Sequence, residues 1–304
     1  MVNIATNNPD VLTPEFKEVF FEEYEQLPSK LDQLYTKSDK GPKGNETKFS
    51  QMGTQGDWDE FNGSVQYEDI TQGYDVTITH KEFTKGFQLT RSLLDDDLTQ
   101  IYSSKPKTLG ASYARTREGH AARMLNQAFA VDNFFYSHSE GVALCSNSHS
   151  TNTSASTAVG FDNLVTTALS AVSVASARIQ MKKYRDDMAN KMSVMPNEIW
   201  IPIDLYEVAD EIIKSTGKLD GDLNNSNVHQ GGYNIIEWEY LTDTNNWFMV
   251  DSRKKSNMLF WIDRIPVEFA FVEDFDTLVA KWRGYSRYSA GYTDWRFLLG
   301  AQVS

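Results

Sequence analysis

The 304-residue sequence predicts an α+β fold, with helices in its middle and strands towards both ends. Three observations carry this. Apolar residues recur at helical spacing within 109–131, 161–179 and 204–213. Polar and apolar residues alternate from Tyr74 to Leu89. From 233 onward the chain is a succession of β-rich runs, YNIIEWEYL, NWFMVD, NMLFWID, VEFAFVED and TLVAKWRGYSRYS, several of them parted only by short turns.

In chain order, Thr13-Pro14-Glu15 reads as a helix start with Pro14 at the first helical position, and Phe16, Val19, Phe20 and Leu27 follow at helical spacing. Residues 36–48 (TKSDKGPKGNETK) have the composition of a linker. Asn62-Gly63 suits a tight turn. Beyond it Tyr74, Val76, Ile78 and His80 alternate with Asp75, Thr77, Thr79 and Lys81, and Phe83, Lys85, Phe87 and Leu89 prolong the pattern past Gly86. Residues 49–91 thus show many strand signals and few core-filling residues, as a projecting β-hairpin would. A long helix over 109–131 places Ala114, Ala121, Leu125 and Ala128 on one face, with Met124 and Phe129 beside it. Phe161, Leu164, Val165, Ala168, Val172, Ala175 and Ile179 outline a second helix. Ile199 to Ile203 reads as a short buried strand stopped by Pro202. Asp204 with Glu207 then suggests a capping box for a helix burying Leu205, Val208, Ala209, Ile212 and Ile213 and stopping at Gly217.

Charge narrows the partners. Acidic residues number 42 against 29 basic, a net charge of -13, and there is no dense Lys/Arg run of the kind that grips phosphates. Such a chain can sit near DNA without sticking to it. Lys281, Arg283, Arg287 and Arg296 read as a solvated or subunit-facing strand. No run approaches the length of a membrane span, and the first residues lack the basic and apolar regions of a signal peptide. The sequons at Asn45, Asn62, Asn152 and Asn224 carry no meaning without a secretory route. A single cysteine, Cys145, excludes an intramolecular disulfide and a multi-cysteine metal cage, and fits folding in a reducing cytoplasm.

Motifs of catalysis and cofactor binding are missing: there is no Gly-rich phosphate loop, no G-x-S-x-G and no H-E-x-x-H. No catalytic, cofactor or metal residue is therefore assigned. The acidic stretch 219–224 fails as a calcium loop, because Asn225 and Gly231 stand where Gly and Glu are required. Asp95, Asp96 and Asp97 read as the start of a helix, where negative charge is favourable, before they read as metal ligands. Cys145 and His149 would be the pair of a Cys-dependent hydrolase; a lone Cys in an apolar run reads first as a small buried hydrophobe. His80, His120, His138 and His229 have no ligand spacing. Trp58, Trp238, Trp247, Trp261, Trp282 and Trp295 could line a carbohydrate-binding face, but their setting reads as core and interface filler.

Five segments, taken in order, resemble the Mu-like major head subunit family of tailed bacteriophages. They are Thr90-Arg91-Ser92-Leu93-Leu94-Asp95-Asp96-Asp97 with the helix end Ala121–Phe129, Gly141–His149, Asn197–Pro202, Asn246–Asp251, and Gly291-Tyr292-Thr293-Asp294-Trp295-Arg296. Cys145 departs from the bulkier apolar residue expected there, which touches local packing only. The resemblance implies the Hong Kong 97-like capsid fold. Residues 1–48 would be the N-terminal arm and 49–92 the extended loop. The peripheral domain, with its spine helix, would take 93–160 and 266–290, and the axial domain 161–265 and 291–304. Lys81 and Lys85 lie where some such phages cross-link subunits, but no matching motif carries that chemistry over.

The function so implied is self-assembly as a major capsid protein. Pentamers and hexamers of the chain would close an icosahedral shell around double-stranded DNA, bound without sequence specificity. A portal and a separate scaffold or decoration protein would be further partners, with synthesis in the bacterial host cytoplasm and residence in the virion. No membrane is involved. Tyr74, Val76, Ile78, Phe83, Phe87 and Leu89 would form the hairpin's subunit-facing side, since an isolated two-stranded hairpin is marginally stable in water. Another phage structural protein of tail or head, a Cys-dependent hydrolase and a carbohydrate-binding module stand as alternatives.

Overall fold

The computed structural model describes residues 9–38, 44–65, 67–95, 104–153, 155–217 and 226–303. In chain order their elements are α1 (Pro9–Gln26), α2 (Leu31–Leu34), β1 (Thr36–Lys37), β2 (Glu46–Met52), β3 (Gln72–Thr79), β4 (Lys81–Thr90), α3 (Arg91–Asp95) and α4 (Ser104–Asn126). There follow β5 (Tyr136–His138), β6 (Leu164–Val165), α5 (Ala171–Lys182), β7 (Glu198–Ile201), α6 (Tyr206–Lys214), β8 (Asn234–Glu237), β9 (Trp247–Val250), α7 (Ser252–Met258), β10 (Leu259–Asp274), β11 (Val279–Tyr292) and β12 (Leu298–Ala301). The expected α+β class holds.

Three sheets organise these elements, in the orders β1-β10-β11-β4, β6-β12-β9-β7-β8 and β2-β3-β5. The middle one is the most buried: every residue of β9 and β12 is inside, as expected of strands covered on both faces. Trp200, Trp238 and Trp247 are fully buried in this region. The first sheet is built on the long β10–β11 hairpin, whose register shifts between Asp263 and Glu268. Pro266 sits within that interval and has no N–H for the ladder, so the strand continues through it as a bulge. The sequence reading had split this strand in two.

Helices α1 and α4 cover the first sheet. Phe16 and Phe20 of α1 join Leu89, Leu109, Phe269, Ala280 and Trp282 in an apolar cluster distinct from the main core. Gly110 permits the approach, since a Cβ there would lie 2.6 Å from the carbonyl oxygen of Phe20.

The expected projecting hairpin is rearranged. β3 and β4 are separated by His80 alone, yet they do not pair with each other: β3 pairs with β2 and β5, and β4 pairs with β11. His80 carries the chain from one sheet to the next. It is 3% exposed and held by Thr47 Oγ1 at 3.0 Å and Ser289 Oγ at 2.8 Å. Alternation along the strands was real, but a period of two cannot say which strand lies alongside.

Other boundaries move for local reasons. The long helix ends at Asn126, and the second helix begins only at Ala171, where Ser170 and Ser173 form a capping box. Leu164 and Val165 are instead a short strand beside Gly300 and Ala301. Pro14 lies inside α1, not at its start. α6 has no side-chain cap; a 3-10 turn over Ile203–Leu205 leads into it, and Val208 is exposed. α7 falls mostly on the short turn expected between two strand runs, and its signal was Asp251, whose carboxylate accepts the Arg253 and Lys254 amides.

Candidate subunit interface

The six residues expected on a subunit-facing hairpin are largely covered by their own chain. Val76 and Ile78 are fully buried and Leu89 nearly so. Phe83 stacks on Tyr288 with ring centroids 4.5 Å apart, and Phe87 stacks on Trp282 at 5.2 Å. Tyr74 is half-buried, its hydroxyl 2.7 Å from Ser150 Oγ. Within one copy, then, Val76, Ile78 and Leu89 are covered by their own chain, and Tyr74, Phe83 and Phe87 are covered in part, because β3 pairs with β5 and β4 with β11.

The uncovered surface lies one connection earlier, in the loop joining β2 to β3. Met52 is 75% exposed, Trp58 98%, Phe61 72%, Val65 63% and Tyr67 92%. Single exposed apolar residues are ordinary, but a run of this kind marks a contact surface. Asp57, Asp59, Glu60, Glu68 and Asp69 lie among them, and residues 53–71 contain neither Lys nor Arg.

Although its tip is bare, the loop is fixed at its base. Gly53 N–H donates to Thr71 O at 2.7 Å, and Asp187 accepts from both the amide and the hydroxyl of Thr54, at 3.2 and 2.6 Å. A Cβ at Gly53 would come within 2.6 Å of Thr71 O, so glycine allows this closure. Asn190 and Gln51 add bonds to Gln55 O and Thr293 O. The base thus aims the loop, and the aromatic side chains lie beyond the last of these anchors.

A cleft of about 150 Å³ opens between α4 and the β10-β11-β4 sheet. Phe20, Phe83, Leu109, Tyr113 and Val267 make it apolar. Ser286 also lines it; this residue is 1% exposed, and its Oγ has no hydrogen-bond partner among the described residues. Lys85 also lines it and bridges to Ser112 Oγ at 3.4 Å.

The remaining expectations resolve as follows. Cys145 is buried, and burial pushes its thiol pKa up. His149 is also buried; Nδ1 lies 3.1 Å from Glu140 Oε1 and Nε2 3.2 Å from Asn163 Oδ1, with the ring stacked on Trp295 at 4.2 Å. Both ring nitrogens are engaged elsewhere, so the thiol–imidazole pair of the hydrolase reading is not formed. Trp238, Trp247, Trp261, Trp282 and Trp295 are buried and present no shared face, whereas Trp58 stands alone outside. Arg296, expected on a solvated strand, is 7% exposed and packs over Trp295 and Phe161 beside Asp294. Asp96, Asp97 and the acidic stretch 219–224 lie outside the described residues. Among the described residues, no three His, Cys, Asp or Glu side chains gather as a metal site requires.

Comparison with known proteins agrees with this geometry. A family model described as phage capsid protein matches residues 73–300. Among solved structures, the chain is similar to the asymmetric unit of the bacteriophage PhiM1 mature capsid, with a TM-score of 0.61, 10% identity, and coverage of 92% of this chain and 88% of that one. It is similar to the capsid of cyanophage P-SCSP1u, with a TM-score of 0.58, 12% identity and coverage of 89% and 86%. A virus-like particle from Pyrococcus furiosus gives a TM-score of 0.51 at 10% identity, covering 95% and 98%. No curated protein matches the sequence.

Proposed function

The chain belongs to the phage capsid protein family, as a major capsid subunit of a tailed phage with the Hong Kong 97-like fold, and from that premise we propose that its copies close an icosahedral shell through the loop of residues 53–71. The observation that carries this is the loop itself: Trp58, Phe61, Val65 and Tyr67 are strongly exposed among acidic residues, on a base held by Asp187. Among the described residues nothing covers that surface, whereas a neighbour in a shell would. Rings of five and six need one contact to be made at slightly different angles, and a loop beyond a fixed base can re-aim without disturbing the core.

In this reading 1–48 remain the arm, folded back through Phe16 and Phe20, and 49–92 the extended loop, with 53–71 as its working part. Residues 93–160 with 266–290 act as the peripheral domain, and 161–265 with 291–304 as the axial domain. Phe83 keeps part of its expected role as one wall of the α4 cleft. Packaged double-stranded DNA, a portal, a scaffold or decoration protein, synthesis in the host cytoplasm and the narrower likeness to Mu-like subunits belong to the same proposal. An acidic subunit would limit sticking to DNA. Electron microscopy of the purified protein tests the reading: shells, tubes or capsomer rings are expected. A monomer at high concentration under every salt condition would overturn it.

A further inference from the structure

Asn62 is the only asparagine in the chain that is followed by glycine, and it lies in the loop between β2 and β3. Asn62 and Gly63 are both exposed, and among the described residues no hydrogen bond engages the Asn62 side chain or the Gly63 amide. Gly63 has a φ of 107°, and beyond its chain neighbours no heavy atom lies within 4 Å of where its Cβ would stand. A backbone nitrogen with no Cβ beside it can reach the preceding side-chain carbonyl, which makes such an asparagine chemically unstable. We propose that Asn62 is a site of spontaneous covalent modification in the unassembled chain. The Gly63 nitrogen attacks Asn62 Cγ, the Cγ–Nδ2 bond breaks, and ammonia leaves carrying the proton that the Gly63 amide gives up. Water then opens the resulting succinimide at one of its two carbonyls, giving aspartate or isoaspartate.

The setting selects this asparagine over the others. Asn163 is fully buried, its Oδ1 accepting from the Ser146 amide at 2.7 Å and its Nδ2 donating to Leu144 O at 2.8 Å, so neither end of that amide is free to react. Asn152 and Asn245 are exposed, but Thr153 and Asn246 follow them, and their side chains crowd the attacking nitrogen. Around Asn62 the backbone is also free to turn. The bonds that fix the loop reach only to Gly56, whose amide donates to Glu68 at 2.9 Å. Conversion adds a negative charge beside Asp57, Asp59, Glu60, Glu68 and Asp69, in a stretch with no Lys or Arg to offset it. Isoaspartate also routes the main chain through the former side chain, one carbon longer, between Phe61 and Val65, which are 72% and 63% exposed. The consequence for assembly rests on the shell reading: a loop altered here no longer presents Phe61 and Val65 as before, and a loop covered by a neighbour cannot turn to cyclise. Asn62 thereby marks the age of subunits that have not assembled and withdraws old ones from the pool.

Peptide mass mapping of the full chain tests this, after ageing near neutral pH both below its assembly concentration and as shells. In the dilute chain Asn62 should convert ahead of every other asparagine, and in shells it should stay intact. Asn62→Gln and Gly63→Ala should each suppress conversion, the first because a larger ring must close, the second because a methyl group crowds the nitrogen. Shell yield after ageing is then compared with the yield of the same protein when fresh. That ratio should fall for the parent in step with the converted fraction, and both variants should keep it. An intact Asn62 in the aged dilute chain would overturn the modification site. Conversion as fast in shells as in the dilute chain, or an equal loss of yield in aged Asn62→Gln, would overturn its link to assembly. A fresh parent that forms no shells would overturn the shell reading and the age mark together, while the mass map still decides the conversion.

Discussion

Trp247 and Trp58 are the same residue type at opposite extremes of one molecule. Trp247 lies in β9, fully buried, its indole N–H donating to Thr167 O at 3.0 Å. Trp58 lies in the β2–β3 loop, 98% exposed, in a stretch with no basic residue. The five-stranded sheet settles its burial within one chain, whereas the loop leaves Trp58 in water within one chain. Stability and assembly should therefore separate along that line.

The largest effect tests the sheet. Trp247→Ala should cost about 3–5 kcal/mol, enough to remove most of a typical domain's stability, and should abolish soluble folded protein. A thermal transition close to that of the parent would show that the sheet is not the folding core.

Acid gives the next effect, at the seam between the sheets. Burial lowers the pKa of His80, His120 and His138, bringing His120 to about 4, with Arg123 and Lys81 adding to the shift at His120. Between roughly pH 6.5 and 4 the unfolded chain binds protons that the folded chain refuses. Stability should fall through that window as the pH drops, by about 2–3 kcal/mol for His120. Denaturant midpoints measured from pH 7 to 4.5 check this, and a His120→Asn variant should show a shallower slope. A midpoint that rises on acidification would contradict the burial of these rings.

Cys145→Ser comes third, at about 1–3 kcal/mol, because a hydroxyl enters an apolar site near Phe129 and Gly300. Assembly should survive it, and alkylation of the wild-type thiol should be slow at neutral pH. Rapid alkylation of the folded chain would reopen the enzyme reading.

Replacing 54–70 with a short Gly/Ser turn should have the smallest effect on stability, within about 0.5 kcal/mol, and the most complete effect on shell closure. Paired calorimetry and electron microscopy would show both. A lost thermal transition would mean that the loop belongs to the core after all.

Much of the fold was legible. Helical spacing located α4 and α6, the β-rich runs located β8 to β11, and the order of segments pointed to the capsid fold. Strand partners were not legible, since Val76 and Ile78 alternate identically whether β3 meets β4 or β5. That pairing is why Val76 and Ile78, expected on a subunit-facing side, are buried within their own chain, while Trp58, Phe61, Val65 and Tyr67 in the β2–β3 loop are exposed. A replacement spanning 63–86 would accordingly cut into the core at Val76, Ile78 and Phe83. Trp58 was grouped with five buried tryptophans, although Asp57, Asp59 and Glu60 beside it already distinguished it from them. The unmet hydroxyl of Ser286 leaves no trace in any local pattern, because the cleft is made by residues from five separate segments.

The cluster that seats α1 also sets a clock on synthesis. Phe20 leaves the ribosome 262 residues ahead of Trp282, its eventual neighbour across the cluster. At roughly 5–20 residues per second, that interval is about 13–50 s. An 18-residue helix is marginal alone in water, so α1 has no stable docking place until β10 and β11 have emerged. One wall of the α4 cleft is Phe20 and another comes from β11, so the cleft exists only on a chain synthesised almost to Trp282 and beyond.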